Sequence, residues 1–73
     1  MPKLRNLSGR DICRILSAHG FVEVRRRGSH MVMQVRDADT TRTVIVPDHS
    51  PVRVGTLLSI IRQSGLARGE FED

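Results

Sequence analysis

The stretch from His30 to Arg36 constrains the fold more than any other part of this 73-residue sequence. Its side chains alternate. Met31, Met33 and Val35 point one way and His30, Val32, Gln34 and Arg36 the other, which is the period of a β-strand. Turn signals close on it from both sides, Arg27-Gly28-Ser29 before and Asp37-Ala38-Asp39-Thr40 after. Thr41 to Val46, rich in β-branched residues, reads as the next strand. Phe21 to Arg26 reads as the preceding one, half-buried, with Val22 and Val24 alternating with charged residues. Connections this short reverse the chain between neighbours, so the three strands are expected to form an antiparallel meander.

Helical signals bracket the meander. Ser8 is placed to cap a helix, with Asp11 three residues on as a shorter capping-box acid. Ile12, Ile15, Leu16 and His19 follow at i, i+3, i+4 and i+7, and Gly20 ends the pattern, which predicts a helix over 8–19. His19 reads as a structural residue at that helix end. Pro47 stops the third strand, and a second helix carries Leu57, Leu58, Ile60 and Ile61 as its apolar face up to Gly65. It starts either with Ser50 as cap and Pro51 at its first position, or with Thr56 as cap. The polar segment from Ala67 to Asp73 reads as loosely held. Lys3 and Arg5 form either a phosphate-contacting arm or part of a disordered terminus.

Each helix has one stripe to bury, so both are expected on the same side of the sheet. The predicted class is α+β in the order α-β-β-β-α: a three-stranded antiparallel sheet with two helices on one face, as one domain over 1–73. If the helices cover Met31, Met33 and Val35, then His30 lies on the open face or its rim. Phe21 and Phe71 are the only aromatics, which leaves Val, Ile, Leu and Met to build the core.

Charge points to a class of partner. Eleven of the twelve basic residues are arginine, and Glu70, Glu72 and Asp73 crowd the end of the chain, so the rest is more basic than the net +4 suggests. Guanidinium groups grip phosphate, and a basic body suits a polyanion such as nucleic acid. Cys13 is single, which excludes a disulfide framework and a cysteine metal site; it reads as inert packing. No apolar run nears the roughly 20 residues that span a bilayer, and the start lacks the apolar stretch of a signal peptide. A cytoplasmic chain, monomeric when free and without membrane contact, is expected.

The chemistry concentrates in Arg25-Arg26-Arg27-Gly28-Ser29-His30. The three arginines supply charge for phosphates. Gly28 lets the backbone approach a ligand or adopt a positive φ. Ser29 offers a hydroxyl and an amide to a phosphate oxygen. His30 exchanges protons near neutral pH. RNA carries its own nucleophile, the 2′-hydroxyl, so one proton-transfer group beside a phosphate clamp suffices for slow cleavage. The same segment also fits plain hairpin chemistry. His49, in the loop after Pro47, either approaches His30 as an auxiliary acid or base, or caps the loop or is simply exposed. His30, His49 and Asp48 lack the spacing of a metal site, and no metal or other cofactor is expected.

These residues resemble the HicA-type toxins, also described as YcfA-like, the small ribonuclease halves of bacterial toxin–antitoxin pairs. The resemblance runs through His19-Gly20-Phe21, the arginine-rich strand into Gly28-Ser29-His30, Val46-Pro47, His49, Gly55-Thr56-Leu57 and Gln63-Ser64-Gly65-Leu66. It implies a fold like that of double-stranded-RNA-binding domains. It also implies cofactor-independent cleavage of messenger RNA with His30 as the catalytic residue, and a HicB-like antitoxin that covers the site. In the family the stretch before Gly-Thr-Leu is often lysine-rich; here it is Ser50-Pro51-Val52-Arg53-Val54. Two rival readings remain: a non-catalytic RNA-binding module of the same fold, and a subunit whose basic face docks an acidic protein.

Overall fold

The computed structural model describes residues 3–72; Met1, Pro2 and Asp73 lie outside the described residues. The order is α1 (Gly9–Ala18), β1 (Val22–Arg27), β2 (His30–Asp37), β3 (Thr40–Pro47), α2 (Val54–Ser64) and a short 3₁₀ helix (Arg68–Phe71). The strands form one antiparallel sheet in the order β1-β2-β3. This is the expected α-β-β-β-α arrangement. Among the described residues no helix is long and apolar enough to cross a membrane.

Local signals set most boundaries. The Ser8 hydroxyl accepts from the Asp11 N–H at 3.0 Å while the Asp11 carboxylate accepts from the Ser8 N–H at 3.0 Å, a complete capping box. At the other end of α1 the Phe21 N–H donates to the Leu16 carbonyl and the Gly20 N–H to the Ser17 carbonyl. That Schellman pattern needs the positive φ of Gly20, +91°. Between β1 and β2, Gly28 takes φ +59° as the first of two turn residues, the pattern of a II′ hairpin. Between β2 and β3 the same place is held by Ala38 at φ +54°.

The core lies between the sheet and the helices. Ile12 and Leu16 of α1, Met31 and Met33 of β2, Val44 and Val46 of β3, and Leu57, Ile60 and Ile61 of α2 form one cluster. Met31 pairs with Val46 and Met33 with Val44 across β2 and β3, so these residues share the helix-covered face. The opposite face carries His30, Val32, Gln34 and Arg36, with Pro47, Ile45, Thr43 and Thr41 beside them on β3. Val32 is nevertheless buried there, between Arg25 and Ile45, its partners on the two flanking strands.

Several expectations are corrected. β1 is exposed along its whole length rather than half-buried; Val22 is 59% exposed. As an edge strand it has a partner on one side only, and a register shift between Glu23 and Arg25 leaves Val24 as an extra residue. α2 begins at Val54 with Arg53 at its cap, without a side-chain cap bond, so neither Ser50 nor Thr56 starts it. Its buried stripe is Leu57, Ile60, Ile61 and Ser64, at i, i+3, i+4 and i+7, and Leu58 turns to solvent. Ser64 is satisfied there: its hydroxyl donates to the Ile61 carbonyl at 2.7 Å and accepts from the Leu66 N–H.

The C-terminal segment is not loose. Phe71 is fully buried in the core cluster and Phe21 nearly so, so both aromatics join the aliphatic core. The Arg5 N–H donates to the Phe71 carbonyl, and Leu4 bridges to Glu72, which holds the Lys3–Arg5 end against this segment. His19 bonds Glu70 at 2.9 Å, tying the end of α1 to the same segment through a side chain rather than through the helix carbonyls.

Candidate functional site

His30 opens β2, directly after the Gly28-Ser29 turn, and pairs with Arg27 on one side and Pro47 on the other. Its side chain is on the exposed face, as the alternation required. Beside it is an open pocket of about 640 Å³ lined by His30, Ile45 and Pro47 from the sheet and by His49, Ser50, Pro51, Val52, Arg53 and Thr56. The pocket thus sits where the open face meets the loop after β3 and the first turn of α2.

The three arginines of the sequence segment are separated by β1 itself. Arg27 pairs with His30 and Arg25 with Val32, so both share the open face with the imidazole. Arg26 pairs with Met31 and belongs to the helix side, where it lines a second depression with Arg10, Cys13, Arg14 and Glu23. The extra residue at Val24 decides this. Val22 is opposite Gln34 on the open face, and unbroken alternation would have continued through Val24 to Arg26.

Arg26 is bonded to the Asp48 carboxylate, which also meets Arg10 at 3.6 Å. The hydrogen bond from Arg26, reinforced by the nearby charge of Arg10, holds the Asp48 carboxyl below its ordinary value. Asp48 therefore joins β1, α1 and the loop after β3. The backbone of that loop is tied down as well. The Asp48 N–H donates to the Ser29 carbonyl at 2.6 Å, the Gly9 N–H to the His49 carbonyl at 2.8 Å, and the Val52 N–H to the Leu7 carbonyl at 2.8 Å. Gly9 permits this seam: a Cβ there would lie 2.0 Å from the Pro47 carbonyl oxygen.

His30 and His49 are thus brought to one pocket that Arg53 and Thr56 also line, with Arg25 and Arg27 on the adjoining strand. Arg53 and Thr56 escaped the sequence reading of the site, and Asp48 entered it only as a rejected metal ligand, not as a support. Arg53 and Thr56 flank Gly55 in a segment whose helix start was ambiguous, and Asp48 acts through partners 22 and more residues away. Gly28 meets no other group within 4 Å of a would-be Cβ, so the turn is open to solvent or to a ligand. Cys13 packs against the core beside Met31, and burial pushes its thiol up, which suits an inert side chain rather than a nucleophile.

The chain was compared with known proteins. The model of a family described as the HicA toxin of bacterial toxin–antitoxin systems matches residues 9–66. The match begins at the first residue of α1, takes in the whole sheet and ends just past α2. No curated protein sequence matches the chain.

Proposed function

Because this chain belongs to the HicA toxin family, we propose that it is an endoribonuclease that cuts messenger RNA and is neutralised by a HicB-like antitoxin. A toxin of a toxin–antitoxin pair has an antitoxin for a partner; the chemistry of the toxic act is what the site must supply. The observation that carries the reading is the exposed His30 imidazole at an open pocket, on one face with Arg25 and Arg27.

The roles follow from chemistry. Arg25 and Arg27 hold the sugar–phosphate backbone beside the pocket, and Ser29 orients it. Arg26 is engaged by Asp48 and keeps the hairpin against the loop. Arg53 meets phosphate from the α2 side, taking the place of the lysines common in the family. His30 exchanges a proton at the ribose–phosphate junction while the 2′-hydroxyl attacks the adjacent phosphorus. Proton transfer by one positioned side chain is worth about 10²–10⁴-fold, and cations on the developing charge add to it. DNA, which has no 2′-hydroxyl, is left intact. The reaction is that of a single domain in the cytoplasm and needs no metal or organic cofactor.

The test is digestion of a labelled transcript in the presence of a chelator by the wild-type protein and by His30→Ala. Wild type should cut, the variant should not, and both should show the same circular dichroism and retard RNA with a steep salt dependence. A wild-type protein that shifts the transcript but leaves it full length would replace this reading with that of an RNA-binding module.

A further inference from the structure

We propose that His49 is the second proton-transfer residue of the cleavage reaction, working opposite His30 as the other half of an acid–base pair. The proposal rests on the ribonuclease reading above and deepens it. Breaking RNA at its own 2′-hydroxyl requires two proton movements. One leaves the 2′-oxygen as it attacks phosphorus; the other reaches the 5′-oxygen as the P–O5′ bond breaks. In an in-line displacement the attacking and departing oxygens lie on opposite sides of phosphorus, so one imidazole cannot adjoin both at once. The products are a 2′,3′-cyclic phosphate and a 5′-hydroxyl. The proton taken by one ring is balanced by the proton given by the other.

The geometry supplies two rings at one pocket and ties their backbones together. His30 and His49 line the same pocket, one from the start of β2 and the other from the loop after β3. The residues immediately before them are joined directly: the Asp48 N–H donates to the Ser29 carbonyl at 2.6 Å. The carbonyl of His49 itself accepts from the Gly9 N–H at 2.8 Å at the start of α1. The Asp48 side chain adds the bonds to Arg26 and Arg10. The loop therefore uses the backbone of His49 and the side chain of Asp48 for its support, and leaves the exposed His49 ring to the pocket. Arg53 lines the same space, where it meets the charge on the non-bridging oxygens.

The test compares wild type, His30→Gln and His49→Gln on a short oligoribonucleotide centred on the cut mapped in a transcript. The oligonucleotide is made twice, once with the natural 5′-oxygen at the scissile bond and once with sulfur in its place. A thiolate departs without a proton, so the sulfur substrate does not need the acid. His49→Gln should cut the oxygen substrate about 10²–10⁴-fold more slowly. One of the two variants, and not the other, should recover to near the wild-type rate on sulfur, which also identifies the acid. His49→Gln at the wild-type rate on oxygen would overturn the proposal, as would recovery of neither variant or of both. A wild-type protein that cuts neither substrate would instead sink the ribonuclease reading on which the proposal rests. Because the ring plays no part in the loop's hydrogen bonds, the His49→Gln fold should be unchanged by circular dichroism.

Discussion

Replacing Gly9 and Gly55 separately by alanine makes the same chemical change near the start of two helices and is expected to move stability in opposite directions. A methyl group at Gly55 meets nothing within 4 Å. It should stabilise α2 by about 0.5–1 kcal/mol, since alanine loses less backbone entropy than glycine on becoming helical. At Gly9 the same methyl lies 2.0 Å from the Pro47 oxygen, 2.9 Å from the Pro47 carbonyl carbon and 3.1 Å from the Asp48 Cα, all backbone atoms that no rotamer change can move. Overpacking of that kind costs about 1–3 kcal/mol. Relieving it draws the loop away from α1 and lengthens the Gly9–His49 hydrogen bond, for about 1 kcal/mol more. After the helix-propensity gain is set against these, a net loss of roughly 2 kcal/mol remains. The chain has no Trp or Tyr, so urea unfolding is best followed by far-ultraviolet circular dichroism. With a slope near 1 kcal/mol/M for a domain this small, the Gly9→Ala midpoint should fall by about 2 M. The slope itself should be unchanged, and Gly55→Ala should rise. A Gly9→Ala midpoint at or above wild type would show that the seam between α1 and the loop is not the tight contact described.

Other consequences follow from the same contacts. Phe71→Ala should cost about 3–5 kcal/mol in urea unfolding, because the ring is wholly buried; a loss under about 1 kcal/mol would return the last residues to a loose tail. Ala38→Gly should raise stability by about 0.5–1 kcal/mol, since Ala38 adopts φ +54°; a lowered midpoint would contradict it. The Asp48 carboxyl is held below its ordinary value of 3.8 by Arg26, so its contribution is present above that pH and is lost as pH falls through the depressed value. Asp48→Asn should therefore be less stable than wild type near pH 7, by a margin that shrinks as the pH is lowered below 3.8; a deficit that does not shrink with acidification would refute the ion pair.

What the sequence determined by itself is what depends on near neighbours in the chain. The Ser8–Asp11 box, the glycine stop at Gly20, the two hairpin turns and the β2 alternation that exposes His30 all follow from backbone angles and side chains within a few residues of one another. Tertiary structure alone decided three things. The extra residue at Val24 on an edge strand reset the parity of β1, which put Arg25 and Arg27 with His30 and gave Arg26 to Asp48. A one-residue slip reverses every side chain, and an arginine-rich strand exposed on both faces has no hydrophobic pattern to announce it. Phe71 was drawn into the core from a polar tail, where it joins Phe21 and the aliphatic side chains of one buried cluster, a placement no local pattern in the tail announces. Last, His49 came to line one pocket with His30, beside a hydrogen bond between Ser29 and Asp48, 19 residues apart, a pairing that exists only once the sheet has formed and α1 has packed against its end.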